Sequence, residues 1–115
     1  MSNVVGNWVY TSDWGCDGSI TGSWNHTFNA DGSWTSSNGH SGRWFQVEGM
    51  VAFTLSDTPN LVYAADLSGS WMAGIQGYET AGGAKGCHGA HRAGVTVAVT
   101  EMAAKKGGPD PTLGR

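Results

Sequence analysis

The string Cys87-His88-x-x-His91 carries the residue types that bind transition metals most often in proteins. A thiolate and two imidazoles so close along the chain are good ligands for zinc or copper. Successive side chains of a β-strand point to opposite faces, however, so on a strand His88 and His91 diverge. We therefore expect no metal site and no bound cofactor here, with His88 filling a Trp-sized position and His91 lying on the other face.

His26 is a second candidate for chemistry, because it lies between Trp24 and Phe28 on a face that strand alternation predicts to be inward. It offers one polar group, or a general base, among aromatic rings. A catalytic role requires a partner such as the carboxylate of Glu48 or Asp66, and the spacing places neither beside it. No catalytic residue is assigned, and an enzyme of the isomerase or cyclase type remains one alternative.

The aromatic side chains favour non-catalytic binding of a small hydrophobic or aromatic molecule inside a barrel. The predicted ligand-binding set comprises Trp24, His26, Phe28, Trp34, Trp44, Phe53, Tyr63, Trp71 and Tyr78. Two other interpretations stay open: the same rings fill the interior completely, or outward rings form the stacking surface of a carbohydrate-binding module. Indoles that point inward around a void favour the first function, and outward coplanar indoles favour sugar binding.

The spacing of glycines and tryptophans indicates the strands that must position these rings. Five of the six tryptophans follow a glycine by two positions, so each shares a strand face with a residue that turns the chain easily. Trp24, Trp34 and Trp44 are ten residues apart, within the ~8–12 residue spacing of turn signals in all-β domains. The pattern predicts strands over residues 6–14, 20–28, a short one from 34, 42–47, 50–56, 61–67, 71–78 and 87–93.

Eight short strands without helical periodicity predict an all-β, eight-stranded antiparallel up-and-down barrel, because closure removes exposed sheet edges. At 115 residues the chain is predicted to hold one domain over residues 1–100. Residues 95–100 are β-prone, and residues 101–115, which contain Gly and Pro, are predicted to form a short flexible tail.

Two motifs in this order of strands resemble the lipocalin-like (calycin) group, particularly its small bacterial domains. Gly6-x-Trp8 lies in the first strand, and Gly86-Cys87-His88-Gly89-Ala90-His91-Arg92 in the last is similar to a GxWxAxR ending, with His88 at the tryptophan position. The resemblance implies that Trp8 packs under Arg92 at the closed end of the barrel. A cation–π contact of this kind contributes roughly 0.5 to 2 kcal/mol.

Barrel closure also brings the end of the first strand, near Cys16, to the beginning of the eighth, near Cys87. A disulfide is one reading, and two small buried thiols are the other. On regular strands the two cysteines face opposite sides, and a bulge at Gly15 or Gly89 would resolve this conflict. The cysteine pair and the Lys-poor composition favour an oxidising location, periplasmic or secreted.

Composition excludes some partners. Charged residues make up 13% of the chain, the formal net charge is −3 and the sequence pI is about 5.7. No basic field exists to hold a nucleic acid or an anionic membrane, and no run approaches the ~18 apolar residues of a membrane span. The expected partner is a small apolar or aromatic ligand, and the sequence carries no signal for a particular oligomeric state.

Overall fold

The computed structural model describes residues 3–94, and these form β-strands, turns and connecting segments. The eight strands are β1 Gly6–Trp14, β2 Gly22–Phe28, β3 Ser33–Ser36, β4 Ser41–Val47, β5 Met50–Leu55, β6 Leu61–Ser68, β7 Trp71–Tyr78 and β8 Lys85–Arg92. Within residues 3–94 no helix is long and apolar enough to cross a membrane. The predicted β-prone segment at 95–100 and the predicted tail at 101–115 lie outside the described residues.

Each strand pairs antiparallel with the next, and β8 pairs with β1, so the sheet closes into a barrel. The predicted all-β up-and-down barrel is thereby confirmed. For six of the eight strands the predicted limits agree with the structure to within one residue. The second strand begins at Gly22 instead of residue 20, because Ile20 is exposed and the first bond of the pairing runs from the Thr21 N–H to the Ser12 carbonyl, 2.8 Å. The eighth begins at Lys85 instead of residue 87.

One end of the barrel is closed around Trp8. The Arg92 guanidinium carbon lies 4.5 Å from the centroid of the buried Trp8 ring, in the pairing that the resemblance implies. Arg92 also donates to the Asn3 carbonyl at 2.6 Å and to the Val5 carbonyl at 3.3 Å. The Trp8 indole donates to the Val4 carbonyl at 2.8 Å. The segment before β1 is therefore held across the barrel end by an arginine and an indole.

A disulfide between Cys16 and Cys87 lies near the other end, with the two Cα atoms 5.2 Å apart. A bulge at Gly89 is excluded, because the β1–β8 register runs without interruption from Trp8 opposite Arg92 to Trp14 opposite Gly86. Instead β1 ends at Trp14 and the chain turns at once, with positive φ at Gly15 (96°) and Cys16 (53°). Cys16 therefore leaves the strand alternation, and its sulfur reaches the outward-facing Cys87.

The inward residues of the closed half are packed together without charge. Trp8, Tyr10, Phe28, Val51, Met72 and Ala90 are each at most 1% exposed. This density is typical of protein interiors, where side chains interdigitate and leave few voids. The closed half is therefore a filled core, and any space for a ligand lies toward the opposite end.

Candidate functional site

A cavity of about 280 Å³ opens at the end of the barrel away from Trp8 and Arg92. Its lining combines rings with small polar residues: Ser12, Trp14, Gly22, Ser23, Trp24, His26, Trp34, Ser36, Asn38, His40, Phe53, Leu55, Leu61 and Tyr63. Five of the nine residues predicted from the sequence to bind a ligand are among them. A filled interior and a ligand cavity were the two alternatives for the barrel. The closed half is filled, and the open half contains a cavity.

The other four predicted residues lie elsewhere. Phe28 and Trp44 pack edge to face below the cavity, with ring centroids 6.0 Å apart. Tyr78 is near the mouth and stacks on Trp14, also at 6.0 Å. Trp71 lies on the outward register of β7, next to the inward, buried Met72. Five of the six indoles thus face inward, and the chain brings no row of coplanar indoles to its described outer surface.

Two aromatic residues are missing from the predicted set: Trp14, which lines the cavity, and Tyr10, which packs beneath it against Trp24. Tyr10 is fully buried and stacks at 5.4 Å on both Trp24 and His88, while Trp14 lines the mouth. The signal for both is present in the sequence, since they alternate with Trp8 on one face of the first strand. This face runs along the whole of β1, from Trp8 at the closed end to Trp14 at the mouth.

His26 is the polar centre of the aromatic cluster. Its ring lies 4.3 Å from that of Trp34 and 4.5 Å from that of Phe28, centroid to centroid, and the side chain is 1% exposed. The Trp24 indole donates to His26 Nδ1 at 3.0 Å. Because Nδ1 accepts this bond, the neutral ring carries its proton on Nε2. The sequence placed His26 on an inward face, and the structure adds the group that fixes its tautomer.

Burial, followed by the nearby His88, lowers the pKa of His26 from its ordinary value of 6.5 to about 3. Between pH 6.5 and about 3, His26 is therefore protonated in the unfolded chain and neutral in the folded barrel. Stability is fully present above this window and is lost as the pH falls through it.

We expect the free energy of unfolding to fall by about 2.5 kcal/mol from His26 alone between about pH 7 and about pH 4.5. The measurement is urea unfolding of the wild type and of His26→Phe at several pH values. The variant keeps a ring in the cluster but cannot take up the proton. The difference between the two stabilities should change by about 1.4 kcal/mol per pH unit near pH 5. Parallel pH profiles would contradict this origin.

The rest of the cluster is uncharged at neutral pH. Burial raises the pKa of the Tyr10 hydroxyl well above its ordinary value, with a further contribution from Tyr63. Burial, followed by Tyr78, raises the pKa of Tyr63 to about 12. The two carboxylates weighed as catalytic partners, Glu48 and Asp66, are both exposed on the outside of the barrel, so neither is available to His26. The open half thus offers rings and small polar groups to a ligand, with the His40–Asp57 pair at its rim.

Two inward side chains reach their partners by crossing a glycine on the neighbouring strand. The Trp34 indole passes over Gly42 and donates to the Thr54 carbonyl at 3.0 Å. His88 Nε2 lies 3.2 Å from the Ala64 carbonyl, across Gly74.

A Cβ at either glycine would occupy the space of that carbonyl oxygen. At position 42 it would also stand 2.8 Å from the Trp34 indole nitrogen. The missing side chains therefore let two rings anchor to strands that are not their neighbours.

Bonds of this kind fix most of the indoles. Besides Trp8, Trp24 and Trp34, the Trp44 indole donates to the Asn29 carbonyl at 2.9 Å. An indole N–H that already has an internal acceptor holds its ring in one orientation. The wall of the cavity is therefore largely preformed.

The metal-like string is divided between the two faces of β8. His88 is fully buried on the inward face, His91 belongs to the outward register, and Cys87 is bonded to Cys16. Across residues 3–94 no group of three or more His, Cys, Asp or Glu side chains is arranged to hold a metal ion.

These observations define a class of fold: an antiparallel eight-stranded barrel that is filled at one end and open to an aromatic cup at the other. No protein-family model matches the chain, and no curated protein sequence matches it.

Proposed function

We propose that this barrel binds a small, flat, uncharged aromatic molecule in its open half and does not transform it. The observation that carries the proposal is the cavity of about 280 Å³ with Trp24, Trp34 and Tyr63 in its lining. Ligand sites in proteins are concave and mostly apolar, with volumes upward of about 300 Å³ and a few polar groups that orient the ligand. A cavity at the low end of that range fits a molecule of one or two rings.

The charge of the site supports a neutral ligand. His26, Tyr10 and Tyr63 are all held in their uncharged forms, and the rim contributes hydroxyls, the amide of Asn38 and His40, whose Nδ1 lies 3.3 Å from the Asp57 carboxylate. A carboxylate moved from water into such a site loses its hydration, and the histidine at the rim, His40, is already paired with Asp57. An anionic analogue of a binding molecule is therefore expected to bind much more weakly.

Unsatisfied polar groups in the interior support a functional rather than a purely structural open half. His26 Nε2, in the cavity lining, and both amide atoms of Gln76, outside that lining, are buried and have no hydrogen-bond partner among the described residues. Each such group costs about 1–3 kcal/mol of stability. A core shaped for stability alone would replace them with apolar side chains.

We further propose kinship with the lipocalin-like (calycin) barrels. Three observations support it: the consecutive up-and-down order of strands, the Gly6-x-Trp8 motif in β1, and Arg92 of β8 over the Trp8 ring at the closed end. Kinship with that group would agree with a ligand in the lumen, since the lumen is where an eight-stranded barrel holds one small molecule.

Calorimetric titration with quinoline at neutral pH tests the binding proposal. We expect a sub-millimolar dissociation constant, on the basis of about −0.5 kcal/mol per non-hydrogen atom. Quinoline-2-carboxylate, which adds a negative charge to the same rings, is expected to bind at least ~10-fold more weakly.

Ser36 and its neighbour Thr35 supply matched variants on opposite faces of β3. Ser36→Phe places a ring in the mouth of the cavity and should weaken quinoline binding at least ~10-fold by excluding it. Thr35→Phe adds the same ring to the exposed outside and should leave binding unchanged. The proposal fails if no heat of binding is seen, or if both variants bind quinoline like the wild type.

A further inference from the structure

The imidazole of His26 carries a buried donor that the barrel leaves without an acceptor. The Trp24 indole bonds to His26 Nδ1, and an indole nitrogen can only donate, so Nδ1 is the unprotonated nitrogen of a neutral ring. The hydrogen is therefore on Nε2, which is buried and has no hydrogen-bond partner within residues 3–94. A buried donor without an acceptor costs stability, so this N–H is a group whose partner is absent from the described chain.

His26 lies at the bottom of the cavity. Along the inward face of β2, the residues Gly22, Trp24 and His26 belong to the cavity lining. The next inward residue, Phe28, does not belong to it and packs against Trp44 below the cavity. A molecule that enters from the mouth therefore meets the imidazole at its inner end. Such a molecule can supply the missing acceptor, whereas the buried side chain is hardly accessible to solvent.

Packing fixes the direction in which this donor points. The His26 ring stacks on Trp34 with an interplanar angle of 22°, and its centroid lies 4.5 Å from that of Phe28 and 4.8 Å from that of Phe53. The ring is therefore held on several sides, and the N–H bond lies in its plane. The neighbouring rings present π faces, which are weak acceptors compared with a nitrogen or a carbonyl oxygen. The donor is preorganised, so a ligand that bonds to it immobilises no further side chain.

Other donors of the lining are either used or placed at the rim. The indole of Trp24 bonds to His26 itself, and the indole of Trp34 bonds to a backbone carbonyl. At the rim, the Ser36 hydroxyl donates to the Asn38 side chain, which is exposed. His26 Nε2–H is thus the donor that a ligand meets among the rings at the inner end of the cavity.

We propose that His26 selects ligands that carry a hydrogen-bond acceptor, a ring nitrogen or a carbonyl oxygen, at the edge that enters the cavity first. The inference rests on the proposed binding function and narrows its ligand to neutral aromatic molecules with such an acceptor. Because the imidazole is neutral at pH 7, the bond joins two uncharged groups. An analogue that presents a ring N–H at the same edge would oppose one donor to another and leave both unpaired.

Quinoline and indole separate the effect of the acceptor from that of the rings. Both are uncharged bicyclic molecules of nearly the same size, but the quinoline nitrogen accepts a hydrogen bond in the ring plane, whereas the indole nitrogen donates one. Calorimetric titration of the full chain at neutral pH should give a dissociation constant at least ~10-fold larger for indole than for quinoline.

His26→Phe removes the donor and keeps an aromatic ring. Quinoline should bind this variant at least ~10-fold more weakly than the wild type, and indole should change by less than ~3-fold, so the preference disappears. Trp24 loses its acceptor in the same variant, but movement of its ring would weaken both ligands alike. His91→Phe makes the same exchange on the outward register of β8 and should keep the wild-type preference.

The imidazole N–H resonance provides a measurement that needs no variant. In wild type labelled with ¹⁵N-histidine, the Nε2–H proton of His26 should move downfield when quinoline binds and should not do so with indole. Equal affinity of the wild type for the two molecules overturns this inference and leaves the binding proposal intact, whereas no binding of either overturns both. An unmoved resonance with quinoline bound, or equal weakening of both ligands in His26→Phe, also overturns the role of His26.

Discussion

Replacing Gly42 with alanine should destabilise the barrel by about 4 kcal/mol, combining a steric clash with the loss of a buried hydrogen bond. The new methyl group would overlap the Thr54 carbonyl and stand 2.8 Å from the Trp34 indole nitrogen. Backbone on both sides restricts any movement, because Gly42 pairs with Trp34 on β3 and with Leu55 on β5. The indole would lose its acceptor and the cavity wall its fixed orientation.

Urea unfolding, followed by circular dichroism, measures this loss. Gly49→Ala is the matched control, because a Cβ there would meet its nearest atom, the Leu67 carbonyl oxygen, only at 3.4 Å. We expect the control to stay within about 1 kcal/mol of the wild type. Equal stability of the two variants would show that the glycine crossing does not constrain the barrel. A Gly42→Ala chain that cannot be isolated folded, beside a folded Gly49→Ala, agrees with the prediction.

The positions of the strands could be predicted from the sequence because the signals for strands and turns are local. A glycine two residues before a tryptophan, repeated at hairpin spacing, locates strand and turn without knowledge of any partner. The same alternation already separates Trp71 from Tyr78: seven residues apart in one strand, they must face opposite sides, so both do not line one lumen. The Gly69-x-Trp71 pattern marks the start of a strand, but the register of that strand directs Trp71 outward.

The hydrogen bonds that cross Gly42 and Gly74 could not be predicted from the sequence, for a physical reason. Whether Trp34 reaches Thr54 depends on how sharply the sheet bends at Gly42, and bending is set by closure of the whole ring of strands. The fixed tautomer of His26 shows an intermediate case. Its inward position follows from alternation, but the Trp24 indole two residues away reaches it only through a particular rotamer.

The β1–β8 pairing joins the two ends of the described chain and is the contact of longest sequence separation in the barrel. It is held by Arg92 over Trp8 at one end and by the disulfide from Cys16 to Cys87 near the other. Bringing such distant segments together carries a large entropy cost in the unfolded chain. A covalent link across the seam removes much of that cost before folding begins.

Breaking the disulfide should therefore cost about 4 kcal/mol, as the chain-entropy relation gives for a closed loop of this length. The bonded cysteines are 71 positions apart in the sequence. Urea unfolding of the oxidised wild type, of the same protein with reductant, and of the double variant Cys16→Ser/Cys87→Ser measures the change. The reduced wild type and the double variant should agree with each other, and both should unfold at much lower urea.

The double variant in reductant is the control, because without cysteines its unfolding should not respond. A thiol assay on the unfolded wild type shows that reduction is complete. If fully reduced wild type unfolds at the same urea concentration as the oxidised protein, the seam is maintained by strand pairing and by the Trp8–Arg92 contact alone. In that case the ring of strands would close without help from its covalent link.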